Sequence, residues 1–107
     1  MFEKLIGVEE RFIEVEKHLS DPKIVNDRDA YQTYVREHAE LNKVVTVYRQ
    51  YKQILHDLDE SQDLLQDADP EIKDLARDEI ATLNREKEDL ESELKKLLLP
   101  KDPNDDK

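Results

Sequence analysis

With 107 residues, of which 36% are hydrophobic and 42% charged, the chain is long enough for one small domain but too polar for a deep globular core, so burial must run along narrow seams. A formal net charge of −11 repels phosphate backbones and excludes a surface that grips RNA or DNA broadly. The absence of cysteine excludes disulfide scaffolds and thiolate zinc sites, and one glycine with four prolines leaves too little turn chemistry for an all-β fold.

The N-terminus, Met1-Phe2-Glu3-Lys4, opens directly into an amphipathic pattern, without an apolar signal core, an Arg/Ser-rich transit segment or a membrane-length apolar run. The expectation is a soluble cytoplasmic protein. Phe2, Leu5, Val8, Phe12, Val15 and Leu19 recur at steps of three and four with glutamates largely between them, which predicts a first helix over about residues 2–19. Ser20-Asp21-Pro22 ends it. Proline pushes the residue before it out of helical backbone, while Asp21 can cap a short new turn that Pro22 begins, with Ile24 and Val25 plugging the corner.

A second pattern starts at the potential caps Asn26 and Asp27 and runs through Tyr31, Tyr34, His38, Leu41, Val45, Tyr48, Lys52, Leu55, Leu58 and Leu65 without a breaker. It predicts one helix of roughly forty residues, about 60 Å long at the usual rise. Val44-Val45-Thr46-Val47-Tyr48 would suit a strand locally, but no turn residues flank it and the three–four spacing continues on both sides, so it reads as helix. At Asp67-Ala68-Asp69-Pro70-Glu71, Asp69 suits an N-cap and Pro70 the first helical position.

A third helix follows, with Ile72, Leu75, Ala76, Ile80, Leu83, Leu90, Leu94 and Leu97 on its seam and Lys87 interrupting it much as Lys52 interrupts the second. The fold class expected is all-α: a long antiparallel helical hairpin with an additional N-terminal helix packed on it, a three-helix bundle that is partly coiled-coil-like. The helical domain covers residues 1–99. Residues 100–107 are polar and proline-punctuated, as a linker would be.

Chemistry is sparse. His56 and Glu60, four apart, lack a third metal ligand and read as a solvated face. His38 at a seam position reads as a hydrogen-bonded histidine rather than a ligand or a base, His18 stands beside the first corner, and neither suggests catalysis. Carboxylate pairs such as Glu9/Glu10, Glu86/Glu88 and Asp105/Asp106 are ordinary wet surface in so charged a chain. No cofactor or phosphate cradle is expected, because a Gly-rich loop needs more than one glycine. The local exception to the acidity is the stretch from Arg36 to His56, where Arg36, Lys43, Arg49 and Lys52 face only Glu37 and Glu40, with Tyr48 and Tyr51 interleaved. Bases with aromatics can hold nucleic acid by phosphate contact and stacking. From pattern alone the favoured reading is seam packing for Tyr48 and ordinary helix surface for the bases.

The terminal segment Leu97-Leu98-Leu99-Pro100-Lys101-Asp102-Pro103-Asn104-Asp105-Asp106-Lys107 resembles the junction that leads into the catalytic core of bacterial class-I peptide chain release factors, in the type that reads UAA and UAG. The opening helix with its Leu19-Ser20-Asp21-Pro22 corner and the Asp69-Pro70-Glu71 helix start share the resemblance, which therefore covers the whole chain. The junction carries the specificity, since the sister factor reading UAA and UGA has a differently composed segment there.

The resemblance implies a factor that enters the ribosomal decoding site on a stop codon and triggers hydrolysis of peptidyl-tRNA. That family selects codons with Pro-x-Thr, whereas the residues two after the prolines here are Ile24, Ile72, Asp102 and Asp105; it hydrolyses with Gly-Gly-Gln, whereas Gly7 is the single glycine. The expectation is an N-terminal domain cut off at its linker, without enzymatic activity of its own. In the family this domain is an arm near the ribosomal stalk base, also implicated with the GTPase that recycles release factors. On that reading an acidic arm meets basic ribosomal proteins, any rRNA contact falls on Lys43, Arg49 and Lys52, and the fragment is monomeric. A tRNA-binding helical arm, as on seryl-tRNA synthetases, would need a strong basic stripe, but acids outnumber bases 28 to 17. A coiled-coil spacer would leave the terminal linker unexplained.

Overall fold

The computed structural model describes residues 3–99, and among them it contains helices, turns and no strand. Four helices follow in order: α1 (Glu3–Leu19), α2 (Pro22–Val25), α3 (Arg28–Leu64) and α4 (Pro70–Leu98). The chain forms two compact units, Met1–Thr46 and Val47–Lys107, with α3 contributing its first half to one and its second half to the other. Within the described residues no helix is long and apolar enough to cross a membrane.

In the N-terminal unit the three–four spacing of α1 does what it predicts. Leu5, Phe12 and Val15 are buried, and Val8 and Leu19 are half-buried. Their partner is the first half of α3, where Val45 is buried and Tyr34, His38 and Leu41 are half-buried. Phe12 stacks on His38 with ring centroids 4.6 Å apart, and His18 stacks on Tyr34 at the same 4.6 Å. Residue numbers rise along α1 as they fall along α3, so the two helices pack antiparallel. Neither helix holds its shape alone with so narrow an apolar stripe; pairing buries it, at about 25 cal/mol per Å² of apolar surface.

The corner between these helices is built from capping chemistry. The Ser20 and Asp21 amides donate to Lys17 and His18 carbonyls and close α1 with tight turns. The Asp21 carboxylate then accepts from the Lys23 amide at 3.0 Å, with Pro22 in the first turn of α2. One turn later Asp27 takes over, its Oδ1 accepting from the Ala30 amide at 3.2 Å to start α3. Ile24 is half-buried in this corner as expected. Val25 is not; it is 50% exposed, because a single helical turn can point only one of two neighbouring side chains inward.

In the C-terminal unit the second half of α3 and α4 form an antiparallel hairpin. Val47, Tyr51, Leu58 and Ser61 of α3 and Ala76, Leu83 and Leu94 of α4 are buried, with Ile54, Ile80, Lys87, Leu90 and Leu97 half-buried between them. These positions step by three and four on both helices, the spacing of a coiled-coil seam. The helix α3 is continuous through Val44–Tyr48, so the helical reading of that β-branched run holds.

The phase of the seam differs from the sequence expectation. Continuing 38, 41, 45 forward points to Tyr48, Lys52 and Leu55, but the buried line of this unit passes one position earlier, through Val47, Tyr51 and Ile54. Lys52 is exposed and Leu55 is 40% exposed. The reason lies in Val44–Tyr48, which carries apolar side chains on nearly every side of the helix and so gives periodicity nothing with which to fix the phase. Leu75, also expected on the seam, is 68% exposed, and its neighbour Ala76 occupies the contact.

The turn between the two helices follows the sequence closely. The last amides of α3's exit donate to carbonyls three residues back, Asp67 Oδ1 accepts from the Asp69 amide at 2.9 Å, and Asp69 Oδ1 accepts from the Glu71 amide at 2.9 Å with Pro70 opening α4. At the other end Leu99 leaves helical backbone at φ −66°, ψ 134°, the extended conformation that the following proline imposes. Phe2 and the linker expected at 100–107 lie outside the described residues.

Candidate functional site

All three bases singled out in the sequence are exposed on α3. In the N-terminal unit Lys43 reaches Glu40, one turn back, at 3.5 Å, with both side chains mostly in solvent. In the C-terminal unit Lys52 Nζ sits 4.6 Å from the centroid of the Tyr48 ring, four residues back on the adjacent turn, while Arg49 presents its side chain at the surface. An ammonium in that position lends charge to the half-buried Tyr48 and covers its face.

Tyr51 does not join them. It is buried in the hairpin seam, and its hydroxyl donates to Glu91 Oε2 at 2.8 Å across the helix pair; Lys87 Nζ approaches the same carboxylate oxygen at 3.8 Å. The interleaving of two tyrosines with the bases is therefore a feature of the sequence and not of the surface. The same cluster explains Lys87: its stem lies in the seam between Leu83 and Leu90, and its charge meets Glu91. A polar group at one level of an otherwise apolar seam fixes register, since slipping the helices would strand the Tyr51 hydroxyl without its acceptor.

Burial, with the hydrogen bond to Glu91 and its negative charge, pushes the Tyr51 phenol up to about 12 from 10.0. A group whose pKa is raised by folding stabilises the fold fully below its unfolded value and loses that contribution as pH rises through the folded one. Urea midpoints measured from pH 8 to 12 are therefore expected to fall above about pH 10 more steeply in the wild type than in Tyr51→Phe, and parallel curves would contradict the assignment.

The N-terminal unit holds a two-pronged ion pair between helices that the sequence did not reveal. Arg11 Nε and Nη2 donate to the two oxygens of Glu37 at 2.6 and 2.8 Å, a fork-to-fork pair joining α1 to α3, and Arg11 Nη1 also reaches Glu14 at 3.2 Å. The hydrogen bond from Arg11 holds the Glu37 carboxyl below its ordinary value, and the guanidinium is held more firmly protonated in return. The histidines are structural in their contacts. His38 Nε2 lies 3.4 Å from Glu16 behind its stack on Phe12, and His18 Nε2 lies 3.7 Å from Glu14 behind its stack on Tyr34. His56 and Glu60 form a surface pair at 2.8 Å, and the described residues contain no group of three or more His, Asp or Glu side chains arranged to hold a metal.

Open grooves run along the hairpin, among them one of about 410 Å³ beside Gln50, Ile54, Glu86 and Leu90 and one of about 480 Å³ beside Ser61, Leu64, Ile72 and Leu75. Neither encloses a titratable cluster that could do acid–base or nucleophilic chemistry. The surface can bind and position, through carboxylates, a few bases and shallow apolar ground. These features define a helical domain with a carboxylate-rich surface among the described residues.

The chain belongs to the PCRF domain family, whose model matches residues 8–107. Along all 107 of its residues it is 64% identical to Peptide chain release factor 1 of Desulfatibacillum aliphaticivorans, 46% identical to that of Syntrophus aciditrophicus and 44% identical to that of Maridesulfovibrio salexigens. It spans 30% of the length of each of these relatives. No solved structure matches it.

Proposed function

We propose that this chain is the helical interaction arm of a factor that directs translation termination at UAA and UAG codons, and that it meets the ribosome near the stalk base. The observation that carries this reading is the 64% identity to a Peptide chain release factor 1 over every residue of the chain. The codon-reading Pro-x-Thr and the hydrolytic Gly-Gly-Gln have no copy within these 107 residues, so the arm contributes binding and not chemistry. In this role it is a cytoplasmic protein, acts as a monomer and also contacts the GTPase that recycles release factors. The net charge of −11 suits basic ribosomal proteins, while Lys43, Arg49 and Lys52 on α3 are the groups with which it would touch rRNA phosphate.

The test is the combined charge reversal K43E, R49E and K52E in a full-length factor carrying this arm. All three residues are exposed, so the fold should be spared. Ribosome affinity at low salt is expected to fall at least about tenfold, and the gap should narrow as salt rises, since fewer phosphate contacts mean a shallower salt dependence. Unchanged binding at low salt would remove these three residues from the interface.

A further inference from the structure

The end of the hairpin near the α3–α4 turn carries a feature that the termination reading does not use. A groove of about 480 Å³ opens there between the last turns of α3 and the first turns of α4, lined by Ser61, Leu64, Ile72, Leu75, Ala76 and Glu79. Its two leucines are held out in solvent, Leu64 at 47% and Leu75 at 68% exposure, the latter as exposed as any large apolar side chain described. Single exposed leucines are ordinary, but two that flank an apolar trough on facing helices mark a place where another apolar surface can lie.

The charge around the groove is one-sided. Between Asp57 and Glu79 the sequence holds ten acids against two bases, Lys73 and Arg77, and Arg77 is engaged with Asp74 at 2.9 Å. Glu71 and Glu79 stand one helical turn on either side of Leu75, and Glu60 stands one turn before Leu64. The apolar trough therefore has carboxylates along both rims. Glu60 already faces His56 at 2.8 Å, but the excess of acids remains: a polyanion such as RNA would be repelled from the groove, and a neutral apolar peptide would make no use of its charge.

We propose that this groove is a docking site for a cationic amphipathic helix of a partner protein. Such a helix would lay apolar side chains at i, i+3 or i+4 and i+7 between Leu64 and Leu75, over a floor of Ile72 and Ala76, with lysines or arginines on its flanks meeting Glu60, Glu71 and Glu79. The apolar lining takes the helix's apolar side chains, and the surrounding acids steer its cationic flanks in. The inference deepens the reading of the chain as an interaction arm by naming a partner class and a second surface, distinct from the α3 bases.

The experiment titrates the isotope-labelled 107-residue chain, and in parallel a full-length factor carrying it, with a synthetic Leu/Lys peptide of that amphipathic pattern and with a scrambled peptide of the same composition. Saturable NMR shift changes are expected at Ser61, Leu64, Ile72, Leu75 and Glu79. Leu75→Lys, at a site exposed enough to leave the thermal melt unchanged, should weaken binding at least about tenfold, because it fills the trough's lip with charge that repels the ligand. Several results would overturn the proposal: equal binding of the scrambled peptide, which would show charge attraction alone; shifts centred elsewhere; no effect of Leu75→Lys; or concentration-dependent self-association through the groove. So would binding to the 107-residue chain but not to the full-length factor, since a segment of the factor itself would then occupy the groove. No ribosome enters this measurement, so its outcome is separate from that of the charge-reversal test.

Discussion

Leu94→Ala is expected to destabilise the hairpin by about 2–5 kcal/mol, the range for removing a fully buried leucine from a packed core. Leu94 has no exposed surface, and the Tyr51–Glu91 hydrogen bond sets a register that puts it opposite the turn carrying Val47. A helix pair has little depth in which to redistribute that volume, so the lost methyl groups leave a cavity and the transfer and cavity terms add. Against a total stability on the order of 5–15 kcal/mol the loss is large enough to read directly from a urea midpoint. Leu75→Ala is the matched control: the same chemical change at a side chain 68% exposed is expected to fall within about ±0.5 kcal/mol. Equal losses at the two positions would mean that the seam does not run where the structure places it.

That pair of leucines also shows where sequence reasoning stops. Both fit a helical apolar pattern, as do Tyr48 and Leu55, and spacing alone cannot rank neighbours such as Leu75 and Ala76. The larger and more hydrophobic residue is the natural choice, yet close approach of two helices favours the smaller one, and Ala76 is buried. The elements themselves were legible because their signals are local. Asp21 before Pro22 and Asp69 before Pro70 satisfy the first amides of the helices they start, and both cap as their positions in the sequence suggest.

Contacts between elements were not legible in this way. Arg11 with Glu37 lies 26 residues apart in the chain and Tyr51 with Glu91 lies 40 apart, and which acid meets which donor depends on the antiparallel register. Twenty-eight acids offer too many equivalent choices for the sequence to indicate one. The candidate site divides along the same line. Exposure of Lys43 and Arg49 was readable because long charged side chains seldom bury, whereas Lys52, expected on the seam, is exposed because the seam runs one position earlier. The withdrawal of Tyr51 into the seam was not, since a tyrosine suits a wet surface and a seam equally well when its hydroxyl finds an acceptor.

Thr46→Pro is expected to cost about 3 kcal/mol or more, with a loss of helicity by circular dichroism at equal temperature. Thr46 lies inside α3, exposed, and its side chain makes only a long 3.4 Å contact to Asn42, so nothing in the packing of the threonine itself is at stake. Proline there deletes a backbone donor, crowds the carbonyl one turn back and pushes the preceding residue away from helical backbone. That preceding residue is Val45, 1% exposed and part of the N-terminal unit's core, so the local break is transmitted into burial. Thr46→Ala supplies the comparison, because it removes the same side chain while keeping the backbone bond and should fall within about ±0.5 kcal/mol. The β-branched run Val44–Tyr48 is where local propensity most favours strand over helix, and proline is tolerated at an edge strand or a chain break far better than in a helix interior. A cost under about 1 kcal/mol would therefore show that α3 is interrupted at this point, and a cost several times that of alanine would show a helix held continuous by the packing on either side of the run.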